Sequence, residues 1–133
     1  YDMTTAIERT LTDFFEEEQS VRLAFLMGSF AKGTARPDSD VDVAALFDRT
    51  PDFMETLDLR ERLSALLRRE ADLVVLNDAG PIIGMQALKT GIRLFARKNE
   101  YEEFFVRTLN EYDDLKRLRA PIEEAVLRRR IYA

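Results

Sequence analysis

The sequence predicts an α/β fold: a small sheet of about four strands flanked by helices, with a C-terminal helical tail. Three observations predict it. Apolar residues switch between helical spacing and short strand-like runs in the order α-β-α-β-α-β-α-β-α. The strand-like runs all fall in the first hundred residues, and from Glu100 onward the pattern is helical alone. With 133 residues, 46% of them hydrophobic, and four prolines, the chain can bury one real core. One domain over residues 1–133 is therefore expected, with a core at about 4–97 and a tail at about 99–133.

Thr5 and Glu8 form a capping-box pattern ahead of Ile7, Leu11, Phe14 and Phe15, which predicts a helix over about 4–19. Leu23–Met27 is a continuous apolar run ending at Gly28, the mark of a buried strand. Residues 30–36 suit a short helix. Val41, Val43 and Ala45 then alternate with Asp40 and Asp42 before Leu46 and Phe47, giving a second strand that starts with an acidic face. Thr50 and Pro51 fit the cap and first turn of a helix whose stripe is Leu59, Leu63, Leu66 and Leu67. Asp72–Leu76 reads as a third strand. Gly80-Pro81 opens a helix that Gly91 closes as C-cap, and Ile92–Ala96 is a fourth strand. In the tail, Pro121 is expected to divide the helix. Glu123 and Glu124 at its first turn and Arg128, Arg129 and Arg130 at its last suit the helix dipole.

There is no cysteine and no histidine. That excludes disulfides, a thiol nucleophile, a Ser-His-Asp triad and His- or Cys-ligated zinc. Any metal site must be built from oxygen donors, which suit Mg²⁺, Mn²⁺ or Ca²⁺. The net charge of −5 argues against general duplex binding, so no direct contact with nucleic acid is expected. Charge is uneven: residues 1–78 hold 9 Lys/Arg and 17 Asp/Glu, and residues 79–133 hold 11 and 8. No apolar run approaches the ~20 residues a bilayer span needs. Tyr1 and Asp2, ahead of a start at Met3, carry no secretion signal, so the cytoplasm is the expected location.

The chemistry is concentrated in residues 28–46. Gly28-Ser29 sits where a buried strand turns into a helix, a place where close backbone approach and free N–H groups favour phosphate. Ser29 adds a hydroxyl, and Lys32 and Arg36 add positive charge. Asp40 and Asp42, two apart on a strand, share a face and repel one another unless a cation lies between them. Asp72 opens the next strand and can bring a third carboxylate alongside; Asp78, in a turn-like stretch, is the weaker alternative. Taken singly, each feature is an ordinary turn, edge or exposed side chain. Together they place a phosphate cradle beside paired carboxylates, the equipment of metal-assisted phosphoryl chemistry.

Gly28-Ser29, ten residues, then Asp40-Val41-Asp42 resembles the signature of the nucleotidyltransferase superfamily that includes DNA polymerase beta, and Ser39 before the first aspartate fits as well. The wording Gly-Ser-Phe-Ala-Lys-Gly-Thr followed by Ser-Asp-Val-Asp is most similar to its minimal nucleotidyltransferases, the MNT or MntA-like antitoxins. The resemblance extends over roughly residues 4–97. One departure is Lys32, where such proteins often carry arginine. The resemblance implies the nucleotidyltransferase fold with a small mixed sheet. It implies that Gly28, Ser29, Lys32 and Ser39 bind the nucleotide, ATP, and that Asp40, Asp42 and Asp72 bind Mg²⁺, two ions in all. Asp72 would also be the general base.

The family implies AMP transfer to a tyrosine of a HEPN-domain toxin, a helical ribonuclease, which the transfer silences within a hetero-oligomer. The chain leaves no room for the extra domain that shapes the acceptor site in relatives modifying aminoglycosides or tRNA. The acceptor is therefore expected on a docking macromolecule. The alternatives are transfer to a small molecule such as an aminoglycoside, and a non-catalytic antitoxin that only occludes the toxin. Tyr101, Phe104, Phe105, Leu109, Tyr112, Leu115 and Leu118 give the tail an apolar stripe to divide between core and partner.

Overall fold

The structure, a computed structural model, describes residues 3–132, with side chains through residue 128. Tyr1, Asp2 and the side chains of Arg129 and Arg130 lie outside the described residues. The elements are α1 (Met3–Glu17), β1 (Val21–Met27), α2 (Gly28–Lys32), β2 (Val41–Phe47), α3 (Phe53–Leu67), β3 (Ala71–Val75), α4 (Gly80–Thr90), β4 (Ile92–Ala96) and α5 (Glu100–Tyr132).

One mixed sheet of four strands runs in the order β3-β2-β1-β4. β1 is antiparallel to both β2 and β4, whereas β2 and β3, joined through α3, are parallel. Because strand side chains alternate between faces, the sheet feeds two cores. On one face Val41, Val43, Ala45 and Phe47 pack with Ile7, Leu11 and Phe15 of α1 and with Leu59 and Leu63 of α3. On the other, Leu23, Phe25, Ala44 and Leu46 pack with Ala87 of α4 and Phe104 of α5. The expected order of nine elements and the mixed four-stranded sheet are what the structure shows.

Several boundaries differ for local reasons. α1 starts at Met3, so Thr5 lies inside it and does not cap it. α3 is capped by Asp52 rather than by Thr50: Asp52 Oδ1 accepts the Glu55 N–H at 2.8 Å, and Glu55 Oε1 accepts the Asp52 N–H at 3.2 Å. The carboxylate one residue after Pro51 wins the cap. α2 begins at Gly28 itself and stops at Lys32, because Gly33 turns left-handed at φ +75°. Gly91 does close α4, but with extended backbone (φ −75°, ψ 154°). Glycine is needed there for close packing, since a Cβ would stand 2.5 Å from the Ala87 carbonyl oxygen and 2.9 Å from Met27 Sδ.

Pro121 does not divide the tail, which is one helix of 33 residues. Proline's φ is compatible with a helix; it costs one hydrogen bond and crowds the carbonyl four residues back. On an exposed helix, the freed carbonyl stays open to solvent, which lowers the cost. Phe104 and Thr108 are buried, but farther along Leu118 is 73% exposed and Ile122 66%. The apolar face that packs on α4 therefore continues without cover among the described residues.

Candidate active site

Strand register assembles the site. β1 and β2 run antiparallel, so the end of β1 meets the start of β2 and Met27 pairs with Asp42. The chain then leaves β1 through Gly28 at φ +64°, a left-handed conformation that glycine adopts without strain. The Gly28 backbone abuts the Asp42 carboxylate: a Cβ there would collide with Oδ2 and lie 3.1 Å from Cγ. On the other side of β2, the parallel register pairs Asp42 with Asp72.

Asp40 stands one residue before β2, on the loop from α2, rather than on the strand. That loop is tied down at Ser39. Its N–H donates to the Arg36 carbonyl at 3.0 Å, and its hydroxyl accepts the Arg36 N–H at 2.8 Å. Arg69 adds an Nη1 hydrogen bond to the Ser39 carbonyl at 3.1 Å, with its guanidinium 5.3 Å from the centre of the Phe30 ring. The hydroxyl expected to meet the nucleotide is thus engaged in shaping the turn that presents Asp40.

Asp42 is the electrostatic centre. Partial burial first, then Asp72, then Asp40 raise its carboxyl above the ordinary 3.8. Three carboxylates, with Asp40 and Asp72 both near enough to act on Asp42, supply oxygen donors of the kind that suits a hard divalent cation. They do not close around a point as they stand: among the described residues, no group of three or more acidic side chains is set to hold a metal. Asp72 is turned instead to Arg60, whose Nη2 donates to its Oδ1 at 3.0 Å.

The remaining expected residues fall as follows. Ser29 is half-buried in the first turn of α2, with its carbonyl accepting the N–H groups of Gly33 and Thr34. Lys32 and Arg36 are exposed on the same connection between β1 and β2. Asp78 lies past the C-terminal end of β3, at the opposite end of the strand from Asp72, and so takes no part. Arg60 and Arg69 were not legible as site residues, since each occupies an unremarkable polar position of a helix or turn.

Residues 9–100, from within α1 to the start of α5, match the family described as "Polymerase beta, Nucleotidyltransferase". The chain belongs to this family. Among its relatives is a protein adenylyltransferase MntA from Shewanella oneidensis, 31% identical over 107 residues, covering 80% of this chain and 77% of the relative. Among solved structures, the chain is similar to one in a toxin–antitoxin structure with AMP-PNP, with a TM-score of 0.79 and 28% identity over 90% of this chain and 98% of that one. A second similar chain, with a TM-score of 0.75 and 25% identity over 94% of this chain and 99% of the other, comes from a tri-AMPylated Shewanella oneidensis HEPN toxin in complex with MNT antitoxin.

Proposed function

We propose that this nucleotidyltransferase moves AMP from ATP to a tyrosine hydroxyl of a HEPN-family toxin and thereby acts as its antitoxin. The observation that carries the reading is the Gly28 backbone pressed against Asp42, with Asp72 in register beside it. Such an arrangement brings a phosphate-approach point and carboxylates together where β1, β2 and β3 meet.

Gly28 and Ser29 position the triphosphate, and Lys32 adds positive charge near it. Asp40, Asp42 and Asp72 are the ligands that would hold Mg²⁺. When bound, that ion neutralises charge on the phosphates and aligns the attacking oxygen. Asp72 takes the proton of the acceptor hydroxyl. The hydroxyl oxygen bonds to the α-phosphorus, the bond to the β-phosphate oxygen breaks, and pyrophosphate leaves. Positioning and charge neutralisation supply most of the barrier lowering, and no covalent enzyme intermediate is needed.

The whole chain is read as one domain, with the α4-packing face of α5 continuing, uncovered among the described residues, toward a helical partner. Leu118, Ile122 and Val126 recur at four-residue spacing there and are all exposed. Use of ATP supports a cytoplasmic location. Among the described residues, no helix is long and apolar enough to cross a membrane. The test incubates the chain with ATP, Mg²⁺ and a HEPN toxin and weighs the toxin by intact-protein mass spectrometry. The toxin is expected to gain mass in units of AMP, with no gain from Asp40→Asn or Asp42→Asn. Undiminished transfer by either variant refutes the assignment of the site.

A further inference from the structure

Asp42 and Asp72 are neighbours in register, yet each is held on a different side. Asp42 lies against Gly28, toward β1. Asp72 bonds to Arg60 of α3. Leu59 and Leu63 bury the apolar face of α3 under the same side of the sheet as Ala71, so Asp72, the next residue, points to the opposite face. β3 is an edge strand, and Arg60 therefore reaches round that edge to meet Asp72. Its Nε is buried with no hydrogen-bond partner, so among the described residues Asp72 is the acceptor this guanidinium bonds to. Among the described residues, accordingly, no group of three acids is set to hold a cation.

We propose that Arg60 is a positioning residue that holds Asp72 out of the metal site in the free chain. Asp72 joins Asp40 and Asp42 only by leaving Arg60. The inference rests on the reading of the three aspartates as metal ligands. Arg60 and a divalent cation are then rivals for one carboxylate, and the rivalry has a sign. The pair is half-exposed, 41% for Arg60 and 47% for Asp72, so releasing Asp72 from it is worth up to about fivefold in an equilibrium. Removing Arg60 strengthens cation binding, whereas a residue needed only for stability would weaken it or leave it unchanged.

The test titrates Mn²⁺ into the full chain without nucleotide and follows free Mn²⁺ by electron paramagnetic resonance. Arg60→Gln is expected to bind about fivefold more tightly than the native chain. Arg60→Lys, which keeps the charge, is expected to stay near the native value. The double variant Arg60→Gln, Asp72→Asn is expected to match Asp72→Asn alone, because the gain passes through Asp72. If Arg60→Gln binds equally or more weakly while Asp42→Asn weakens binding, the metal site stands and the role of Arg60 is wrong. If Asp42→Asn binds as the native chain does, the metal reading fails and this inference with it.

Discussion

Replacing Gly28 by alanine tests the geometry of the site at its tightest point. Two separate costs arise. At φ +64° an L-residue is strained by about 1–2 kcal/mol. The new methyl would also meet Asp42 Oδ2 and stand 3.1 Å from Cγ and 3.3 Å from Cβ, so the carboxylate must move, an overpacking cost of about 1–3 kcal/mol. Together these predict a fall in Tm of about 10 °C for a chain of this size. Displacing Asp42 by about 1 Å should also lower AMP transfer about a hundredfold. Gly33 provides the control, since it too is left-handed, at φ +75°, but a Cβ there meets nothing within 4 Å. Gly33→Ala should show the strain alone: about 1 kcal/mol lost, a melting point lower by about 4 °C, and transfer retained. The assays are thermal denaturation and the mass gain of the toxin with ATP and Mg²⁺. A Gly28→Ala variant with native transfer, or a Gly33→Ala variant as inactive as Gly28→Ala, would refute the reasoning.

Asp42→Asn should abolish transfer yet stabilise the metal-free chain. The native carboxyl is raised above 3.8, so the folded state holds its proton more tightly than the unfolded state does. Ionised Asp42 therefore opposes folding, a cost absent at acid pH that grows as pH rises through the raised value. The variant should melt higher than the native chain at pH 7, with the difference closing toward pH 3.8. Arg69→Ala removes the hydrogen bond to the Ser39 carbonyl; amide exchange over residues 36–40 should quicken and transfer fall about tenfold, with little change in Tm. Pro121→Ala restores a helical N–H in α5, so the helical signal of the tail in far-UV circular dichroism should persist to higher temperature while the melting of the core stays put.

The element order was legible because each strand is a short apolar run and each long helix carries a stripe at helical spacing. The helix ends were less so. Thr50-Pro51 and Asp52 compete for one cap, and only the geometry of Glu55 decides between them. Gly28, Asp42 and Asp72 were legible as a group because a glycine at a strand end and acids at strand starts carry their own spacing. Antiparallel β1–β2 and parallel β2–β3 pairing then bring them together. Arg60 and Arg69 were not legible. Their partners lie 12 and 30 residues away, and an arginine in a charged stretch carries no sign of which carboxylate or carbonyl it will reach.

The three aspartates are not held equally firmly, and the differences bear on how the site works. Asp42 sits on an inner strand hydrogen-bonded on both sides and pressed against a backbone that cannot yield without moving β1. Asp40 depends on a turn closed by Ser39 and anchored by Arg69. Asp72 sits on an edge strand, with its side chain held by one half-exposed ion pair. The energy needed to shift a carboxylate therefore falls from Asp42 to Asp40 to Asp72. On the proposed reading of these acids as metal ligands, any rearrangement that accompanies cation binding falls on the last two, with Asp42 as the fixed reference. On that same reading, a firmly placed Asp42 beside a loosely held Asp72 lets the metal-free chain avoid packing three like charges at a single point. It also makes completion of the site depend on a cation that outcompetes Arg60.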